Sequence, residues 1–592
     1  MACVHLMAGK GQGLNGVFLG ADDGSPAESR GVKRRMNRKR LSVIAASSMT
    51  IVFTLALFGA LSVASGGQAS ATSTLEEISA SPSEVSPETP LPQSGQISDI
   101  KNVVLLLADD LDWATFNEVP RLKNLMADGT TLTNFVVTSS LCCPSRTSIL
   151  RSQFVHNHKV LSNVPETGGG WSKFNAQRLQ RDCLPNWLQS NGVSTSLVGK
   201  YLNGFPKGAP APTYVPPGFN NFITSISLNQ SYKGYNYVLN ENGKLRKYGN
   251  APTDFINDVL TAHATRIIST ATTPFFLEFA SYSPHTPAPV AMRNRGSHAG
   301  SVVPRTPAYN SRGIDEPTWL RKVPSLSPKQ LANIDQIWTR RLESSESLAD
   351  SYDALVAQLA ASGHSQDTLI IVTSDNGYHL ASHRLPSGKQ TPYREDSLVP
   401  AVLIGPGIER GGVISEMTST LDLAPTIAQI QGVQPPGWID GRSLLPLLND
   451  DPDVAWRTGT LTESLARARR GDPDFGLGDA PTFRALRTQS WLYVEYSDRS
   501  VQLIDLINDP FEVNNVIRTT SPVIVQQLQA QLRALSTCAG PSCLVADSMP
   551  TPEATGELTP VETPTPEPSA PSTLSPSSSA SALPTPAASP VG

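Results

Sequence analysis

Residues 101–110 read Lys101-Asn102-Val103-Val104-Leu105-Leu106-Leu107-Ala108-Asp109-Asp110, an apolar run that ends in two acids. Consecutive apolar residues without alternation are typical of a strand that is buried on both faces of a parallel sheet. Such sheets bind ligands beyond the carboxyl ends of their strands. Two adjacent carboxylates repel each other there unless a cation joins them, so we predict that Asp109 and Asp110 bind a hard divalent metal. A solvated turn that carries two acids is the alternative.

Similar patterns recur along the chain and predict an α/β fold. Apolar runs predict further strands at 194–198, 274–280, 367–374 and 400–407. Between them, amphipathic patterns predict helices, of which the longest covers residues 328–362.

A second stretch contains the most reactive side chains of the chain. It reads Thr138-Ser139-Ser140-Leu141-Cys142-Cys143-Pro144-Ser145-Arg146-Thr147-Ser148. Pro144 disfavours helix for the residue before it, so Cys142 and Cys143 are predicted where an extended segment enters a helix. A helix N-terminus favours negative charge, and Arg146 adds a fixed cation. The stretch therefore predicts an anion site with a reactive group at its mouth. Alternatively, the cysteines are buried small hydrophobes or disulfide partners.

This stretch resembles the Cys-x-Pro-Ser-Arg signature of the sulfatase family. In that family the first cysteine is oxidised to formylglycine, an aldehyde that hydrates to a geminal diol. Cys142 matches this position, whereas Cys143 does not, because Ser145 and Thr147 follow it at the places of proline and arginine. The resemblance implies an alkaline-phosphatase-like α/β fold, with a large mixed sheet flanked by helices. It also implies a catalytic domain at 99–454, a small antiparallel C-terminal subdomain at 455–545, and maturation by a formylglycine-generating enzyme.

The resemblance also implies a metal site that is assembled from distant parts of the sequence. The family places Ca²⁺ there, with Mg²⁺ as the alternative, and no cluster of histidines and cysteines indicates zinc. The predicted strand at 367–374 is followed by two further oxygen donors. The implied ligands are Asp109, Asp110, Cys142, Asp375 and Asn376.

Three cationic side chains are implied to bind the sulfate group. The segment that begins Gly199-Lys200-Tyr201-Leu202-Asn203 resembles the family's Gly-Lys-aromatic segment, in the form of the glucosamine-6-sulfatase and extracellular sulfatase branch. Lys389, 14 residues after Asp375, matches the second sulfate-binding lysine. Arg146 of the signature is the third cation.

Histidines are the candidates for proton transfer. Many family members have a histidine two residues after the first lysine, where this chain has Leu202. His158 is the candidate replacement, and a polar surface role is its alternative. His285 lies between two prolines at the end of a predicted strand, where the family has a substrate-contacting histidine; it is the predicted proton donor. The irregular segment 288–327 is predicted to form the rim of the substrate pocket.

The ends of the chain predict an extracytoplasmic location. A basic run at 33–40 precedes the apolar segment 41–64, which is typical of an export signal within residues 1–71; an uncleaved membrane anchor is the alternative. Residues 72–98 are predicted to be a flexible linker. Residues 546–592, rich in proline, serine and threonine, are predicted to be a disordered tail, with a wall-spanning or glycosylated stalk as one option. Cys538 and Cys543 are close enough in sequence to form a small disulfide loop.

The sequence thus predicts a hydrolase of sulfate monoesters, acting on sulfated sugars and, as convenient reporters, on aryl sulfates. The net charge of −4 gives no global basic bias toward nucleic acid. Two alternatives stay open. One is a formylglycine-dependent phosphodiesterase or phosphonate monoester hydrolase, and the other is a surface protein that binds sulfated glycans without cleaving them.

Overall fold

The computed structural model describes residues 95–272, 274–451, 454–467 and 480–554. The predicted export segment, nearly all of the predicted linker and the tail beyond residue 554 lie outside these residues. Within the described ranges, no helix combines the length and the apolar character needed to cross a membrane.

The central strand of the fold is β1 (Asn102–Asp109), all of whose residues are buried. Its side chains alternate between two apolar clusters: Val104 and Leu106 belong to one, and Val103 and Leu105 belong to the other. Because successive side chains of a strand point to opposite faces, both faces of the sheet are covered by packed layers. This double burial explains the uninterrupted apolar run in the sequence.

The other strands of the described residues follow in chain order. They are β2 (Thr130–Leu132), β3 (Phe135–Val136), β4 (Ser194–Gly199), β5 (Asn221–Ser225), β6 (Val238–Glu241), β7 (Lys244–Lys247), β8 (Phe275–Pro284), β9 (Thr368–Ser374), β10 (His379–Leu380), β11 (Ser387–Gly388), β12 (Ala401–Ile404), β13 (Val413–Ile414), β14 (Thr418–Ser419), β15 (Gly459–Ser464), β16 (Phe483–Thr488), β17 (Trp491–Tyr496) and β18 (Val501–Asp505).

Ten of these strands form one mixed sheet in the order β13-β2-β12-β9-β1-β8-β4-β5-β6-β7. Its central strands β9, β1, β8, β4 and β5 are parallel neighbours. Toward the two edges, β12 and β6 pair antiparallel with this central group. The carboxyl ends of the five parallel strands therefore lie along one edge of the sheet. The predicted α/β architecture is confirmed.

The α-helices of the described residues connect and cover these strands. They are α1 (Trp113–Glu118), α2 (Pro120–Asp128), α3 (Cys142–Arg151), α4 (Val155–His158), α5 (Gly170–Ala176), α6 (Leu184–Ser190), α7 (Leu228–Ser231), α8 (Ile256–Ser269), α9 (Thr318–Arg321), α10 (Pro328–Ala361), α11 (Arg394–Ser397), α12 (Leu423–Ile430), α13 (Leu445–Leu448), α14 (Pro522–Leu535) and α15 (Pro541–Ala546).

Helices α8 and α10 cover one face of the sheet, and α6 and α12 cover the other. The long helix α10 begins where the sequence predicts. Its cap residue Ser327 accepts the N–H of Gln330, and Pro328 occupies the first turn, where its missing N–H costs no hydrogen bond.

The C-terminal subdomain is a four-stranded antiparallel sheet, β15–β18, with α14 packed against it. Cys538 and Cys543 form the disulfide that their spacing suggests. Asp547 forms ion pairs with Arg457 and Arg442, and Ala554 still packs against the apolar cluster of this subdomain. The folded part therefore extends beyond the predicted boundary at residue 546.

His156 on α4 contacts this subdomain. Its Nδ1 lies 2.8 Å from Oε2 of Glu463 on β15, and its Nε2 lies 2.9 Å from the Cys538 carbonyl oxygen. Both ring nitrogens thus face acceptors, an arrangement that suits the doubly protonated imidazolium. Burial lowers the pKa of His156, but the hydrogen bond and charge of Glu463 outweigh this effect, so its net pKa is raised.

We predict that this contact stabilises the fold most at mildly acidic pH. Because the pKa is raised on folding, the stabilisation is complete below the ordinary value of 6.5 and is lost as pH rises through the folded-state value. His156→Gln should reduce the free energy of unfolding by about 2 kcal/mol at the acidic end, the scale of a buried hydrogen bond to a charged group. Denaturant titrations between mildly acidic and mildly alkaline pH should show the difference from the wild type shrinking as pH rises. A difference that does not vary with pH would contradict a charged His156.

Candidate active site

The carboxyl-terminal ends of four neighbouring strands bring the predicted site residues together. Asp109 ends β1, and Asp375 with Asn376 follows β9, the next strand along the sheet. On the other side of β1, Lys200 follows β4 and His285 follows β8. These residues are distant in sequence but adjacent in space because the strands are parallel neighbours.

Cys142 enters this edge from the first turn of α3. Leu141 is extended, and the helix begins at Cys142 itself, so the side chain is placed where the chain changes direction. Its Sγ lies 3.6 Å from Oδ1 of Asp109, 3.9 Å from Oδ1 of Asp110 and 2.8 Å from Nζ of Lys389. The sulfur is completely buried.

Three cations neutralise the buried acids around Cys142. Lys200 Nζ lies 2.7 Å from both carboxylate oxygens of Asp109. Lys389 Nζ donates to Oδ1 of Asp110 at 2.8 Å, and Arg146 Nε donates to Oδ2 of Asp375 at 2.7 Å. Each acid has its own cation, which offsets part of the cost of removing these charges from water.

The charges also set the protonation of the site. Burial alone raises the pKa of Asp109, but Lys200, His285, Arg146 and Lys389 together hold it below its usual value, so Asp109 is ionised at neutral pH. Burial raises the pKa of the Cys142 thiol well above its ordinary value, against the opposing effect of both lysines. The thiolate is the nucleophilic form of cysteine, so an unmodified Cys142 in this site is a poor nucleophile.

Among the predicted metal ligands, two buried oxygen atoms have no hydrogen-bond partner in the part of the chain that the structure describes: Oδ2 of Asp110 and Oδ1 of Asn376. Buried acceptors are normally satisfied, so these atoms fit a ligand that accepts their lone pairs. Donor atoms of Asp109, Asp110, Cys142 and His285 also lie within 4.8 Å of one another. Oxygen-rich donor sets of this kind suit Ca²⁺ or Mg²⁺.

The other two predicted ligands lie directly beside this group. Asn376 Nδ2 donates to Oδ1 of Asp110 at 2.7 Å. Asp375 accepts the backbone N–H groups of Asp110 and Asn376 through Oδ1, and Arg146 through Oδ2. The structure therefore brings together all five residues predicted to bind the metal.

His285 has a fixed ring orientation. Its Nδ1 lies 2.6 Å from the carbonyl oxygen of Thr286, an acceptor, so Nδ1 carries a proton and donates there. Its Nε2 faces Oδ2 of Asp110 at 3.7 Å. The ring stacks on Tyr232 with the two centroids 4.0 Å apart. The second nitrogen of His285 is thus directed at the acids.

Two residues at the site carry no sequence signal that identifies them. Tyr232, the residue after the short helix α7, lies against His285, and Lys200 Nζ is 5.6 Å from its ring centroid. Arg341, fully buried on α10, donates to the carbonyl oxygens of Asp110 and Pro284 and to Asp112. It therefore ties the ends of β1 and β8 together. An arginine on a long amphipathic helix is usually solvated, so only the tertiary structure reveals its role.

The prediction that His158 contributes to catalysis is not supported by its position. Its Nε2 lies 3.1 Å from Oγ of Ser148, and its Nδ1 accepts the backbone N–H of Val160 at 3.0 Å. Burial lowers its pKa to about 3. The neutral ring of His158 forms a hydrogen bond with Ser148 on α3, which helps to orient that helix. Its two nitrogens contact Ser148 and Val160 and not the acids around Cys142.

Comparisons with known proteins agree with this geometry. A family model described as Sulfatase matches residues 101–433, and one described as N-sulphoglucosamine sulphohydrolase, C-terminal, matches residues 388–537. The chain is 32% identical over 478 residues to the N-acetylglucosamine-6-sulfatase of Homo sapiens. The aligned region covers 75% of this chain and 85% of that relative.

Solved structures share the fold at lower sequence identity. One of them is described as a complex with its substrate D-glucosamine-2-N,6-O-disulfate. It has a TM-score of 0.61 and 19% sequence identity, and the matched region covers 73% of this chain and 97% of that chain. The phosphonate monoester hydrolase of Agrobacterium radiobacter has a TM-score of 0.58 and 19% sequence identity. The matched region covers 74% of this chain and 96% of that chain. These similarities confirm the alkaline-phosphatase-like fold.

We predict that Ca²⁺ stabilises the folded protein through this site. A ligand that binds only the folded state adds about 2.7 kcal/mol at a concentration 100 times its dissociation constant. Differential scanning calorimetry should therefore show that added Ca²⁺ raises the unfolding temperature of the wild type. The rise should be smaller in Asp110→Asn. Asp335→Asn, which alters a surface ion pair with Arg305, is the matched control and should keep it. An equal Ca²⁺ response in wild type and Asp110→Asn would contradict the assignment.

Proposed function

This chain belongs to the sulfatase family of sulfuric ester hydrolases, and we propose that it releases sulfate from sulfated sugars through a formylglycine made from Cys142. The observation that carries the proposal is the convergence of three cations and three carboxylates on one buried cysteine. A thiol that stays protonated does not need so many charged groups around it, and neither does a neighbouring serine. A residue 142 that has been oxidised to formylglycine and that receives a sulfate group would need them.

The proposed metal site consists of Asp109, Asp110, Asp375, Asn376 and residue 142. When bound there, Ca²⁺, or Mg²⁺ in its place, would supply positive charge next to residue 142 and the sulfate group. Oδ2 of Asp110 and Oδ1 of Asn376 support this assignment, since neither accepts a hydrogen bond from any residue within the described ranges.

Formylglycine at residue 142 supplies, in its hydrated form, the oxygen nucleophile that the buried thiol cannot provide. Arg146, Lys200 and Lys389 surround this position and are proposed to hold the sulfate oxygens as charge moves onto them. Nη2 of Arg146 is buried and has no acceptor among the described residues, which leaves a donor for a sulfate oxygen. The lysines would exchange part of their contact with the acids for contact with substrate.

His285 is proposed to donate a proton to the leaving alcohol. Its Nδ1 is held by the Thr286 carbonyl, so Nε2 is the nitrogen that gives up the proton. Nε2 lies 3.7 Å from Oδ2 of Asp110, and His285 belongs to the same group of neighbouring polar side chains as Cys142. A proton donor is needed most when the leaving alcohol is a sugar, because a sugar alkoxide is a poor leaving group.

Sugars are the proposed natural substrates because of the relatives. The N-acetylglucosamine-6-sulfatase similarity extends over most of the chain, and one structural neighbour contains a disulfated glucosamine. We propose an extracytoplasmic location, which the disulfide between Cys538 and Cys543 supports. Maturation would require a formylglycine-generating enzyme as a partner.

The two neighbouring cysteines provide a matched test of the nucleophile. Cys142→Ser should lower steady-state turnover of an aryl sulfate by at least about a thousandfold, the scale for loss of a nucleophile or general base. A serine can attack once, but it remains as a stable sulfate ester. Cys143→Ala should retain most of the activity, because the Cys143 side chain packs in a buried cluster and its backbone bonds with Asn163 and Thr147 survive the substitution. Equal activity of Cys142→Ser and the wild type would contradict the mechanism.

The role of His285 predicts a dependence on the leaving group. His285→Gln should lower the rate for a sugar sulfate by about 10²–10⁴-fold, as expected for loss of general acid catalysis. The loss should be much smaller for 4-nitrophenyl sulfate, whose leaving group departs without protonation. Ratios of kcat for the two substrates in wild type and variant measure this directly. An equal loss for both substrates would show that His285 acts in another way.

The similar fold of a phosphonate monoester hydrolase makes phosphoryl chemistry the second candidate function. Rates on matched sulfate, phosphate-diester and phosphonate esters of 4-nitrophenol, at saturating Ca²⁺ and then Mn²⁺, separate the two. We expect the sulfate ester to be preferred. Binding of a sulfated glycan without release of inorganic sulfate would instead indicate a protein that binds without cleaving.

A further inference from the structure

We infer that the enzyme binds a second anionic group of its substrate in the cavity beside His285, through Lys233, Arg295 and Arg340. This inference rests on the proposed hydrolysis of sugar sulfates and narrows the class of substrate. The preferred substrate would be a saccharide that carries a carboxylate or another sulfate in addition to the sulfate ester that is cleaved.

The cavity lies next to the proposed proton donor. It has a volume of about 630 Å³, a size typical of small-ligand sites. Its wall includes Tyr232, whose ring stacks on His285, and residues 287–290, which begin two positions after His285. The alcohol that receives the proton from His285 would therefore have this cavity beside it, and the rest of the saccharide can occupy it.

The charges that line the cavity favour an anion. Lys233, Arg295 and Arg340 are exposed, and none of them forms a salt bridge with any residue that the structure describes. The lining also contains one acid, Glu343, which is buried and accepts the N–H of Gly296 at 2.7 Å. Cations therefore outnumber acids three to one at a wall that a ligand can reach, and guanidinium groups suit carboxylate and sulfate oxygens.

The segment that carries Arg295 is held in place before any ligand binds. Arg293, two residues earlier, is bound to Asp258 on α8 and to Asp350 on α10. Gly296, one residue later, is bound to Glu343 on α10. Arg340 lies on the same helix, so two of the three cations are attached to one rigid element. Such preorganisation reduces the entropy lost when a ligand binds.

Two tyrosine hydroxyls at the cavity are consistent with a sugar ligand. The Oη atoms of Tyr232 and Tyr235 are buried and have no hydrogen-bond partner among the described residues. Buried hydroxyls are normally paired, so these groups fit partners that the hydroxyls of a saccharide can supply. The cavity thus combines cations for an anionic substituent with neutral hydrogen-bonding groups for a sugar.

The test compares kcat/KM for three substrates that differ in the second anion. They are N-acetylglucosamine 6-sulfate, glucosamine 2-N,6-O-disulfate, and a disaccharide of N-acetylglucosamine 6-sulfate with a uronic acid. Arg340→Gln and Arg295→Gln should each lower kcat/KM for a substrate that carries a second anion. This loss should be about tenfold greater than the loss for N-acetylglucosamine 6-sulfate, as expected for one charge-assisted contact. The loss should reside mainly in KM. Whether the sulfate or the carboxylate substrate responds identifies the anion.

Arg181→Gln is the matched control, since Arg181 is an exposed arginine that does not line the cavity. It should leave the ratios among the three substrates unchanged. An equal loss on all three substrates in Arg340→Gln and Arg295→Gln would overturn the inference while leaving sulfate ester hydrolysis intact. If the wild type carries the aldehyde at residue 142 and releases sulfate from none of the three, the proposed function fails as well.

Discussion

The structure depends on how the buried carboxylates of Asp109, Asp110 and Asp375 are neutralised at the carboxyl ends of β1 and β9. A buried carboxylate without a partner costs several kcal/mol, and three such groups close together also repel one another. Lys200, Lys389 and Arg146 each pair with one of them. The same cations lie around Cys142, so the charges that make burial of the acids tolerable are also those that can hold a transferred anionic group.

The architecture explains why these residues meet. The parallel strands β4, β8, β1 and β9 end at one edge of the sheet, and each of them is followed there by at least one polar side chain of the site. Arg341 then fixes the chain after β1 and β8 through three hydrogen bonds. Because α10 carries both Arg341 and Arg340, one helix braces the reacting centre and contributes a cation to the adjoining cavity. Stability and substrate recognition therefore share an element.

Much of this could be predicted because the signals are local. The apolar run of β1, the proline after Cys143, and Asp375 with Asn376 after β9 are each recognisable within a short stretch of sequence. Their convergence follows from the rule that ligands bind at the carboxyl ends of parallel strands. Tyr232, Arg341 and the cavity could not be predicted, since their roles depend on where distant segments return. The orientation of His158 could not be predicted for the same reason: nearness in sequence to Cys142 gave no information on which way its ring would face, and the ring contacts Ser148 and the Val160 N–H. The contacts of Asp547, just beyond the predicted boundary near residue 546, could not be predicted either, because its partners are arginines about 90 and 105 residues away.

The central claim is that an aldehyde at residue 142, and not a thiol, accepts the sulfate group. Mass spectrometry of the peptide that contains residue 142, on preparations matured to different extents, tests it most directly. The account predicts the mass of formylglycine at Cys142, an unmodified Cys143, and a specific sulfatase activity that rises in proportion to the fraction of aldehyde. A fully active preparation in which Cys142 is still a thiol would contradict it.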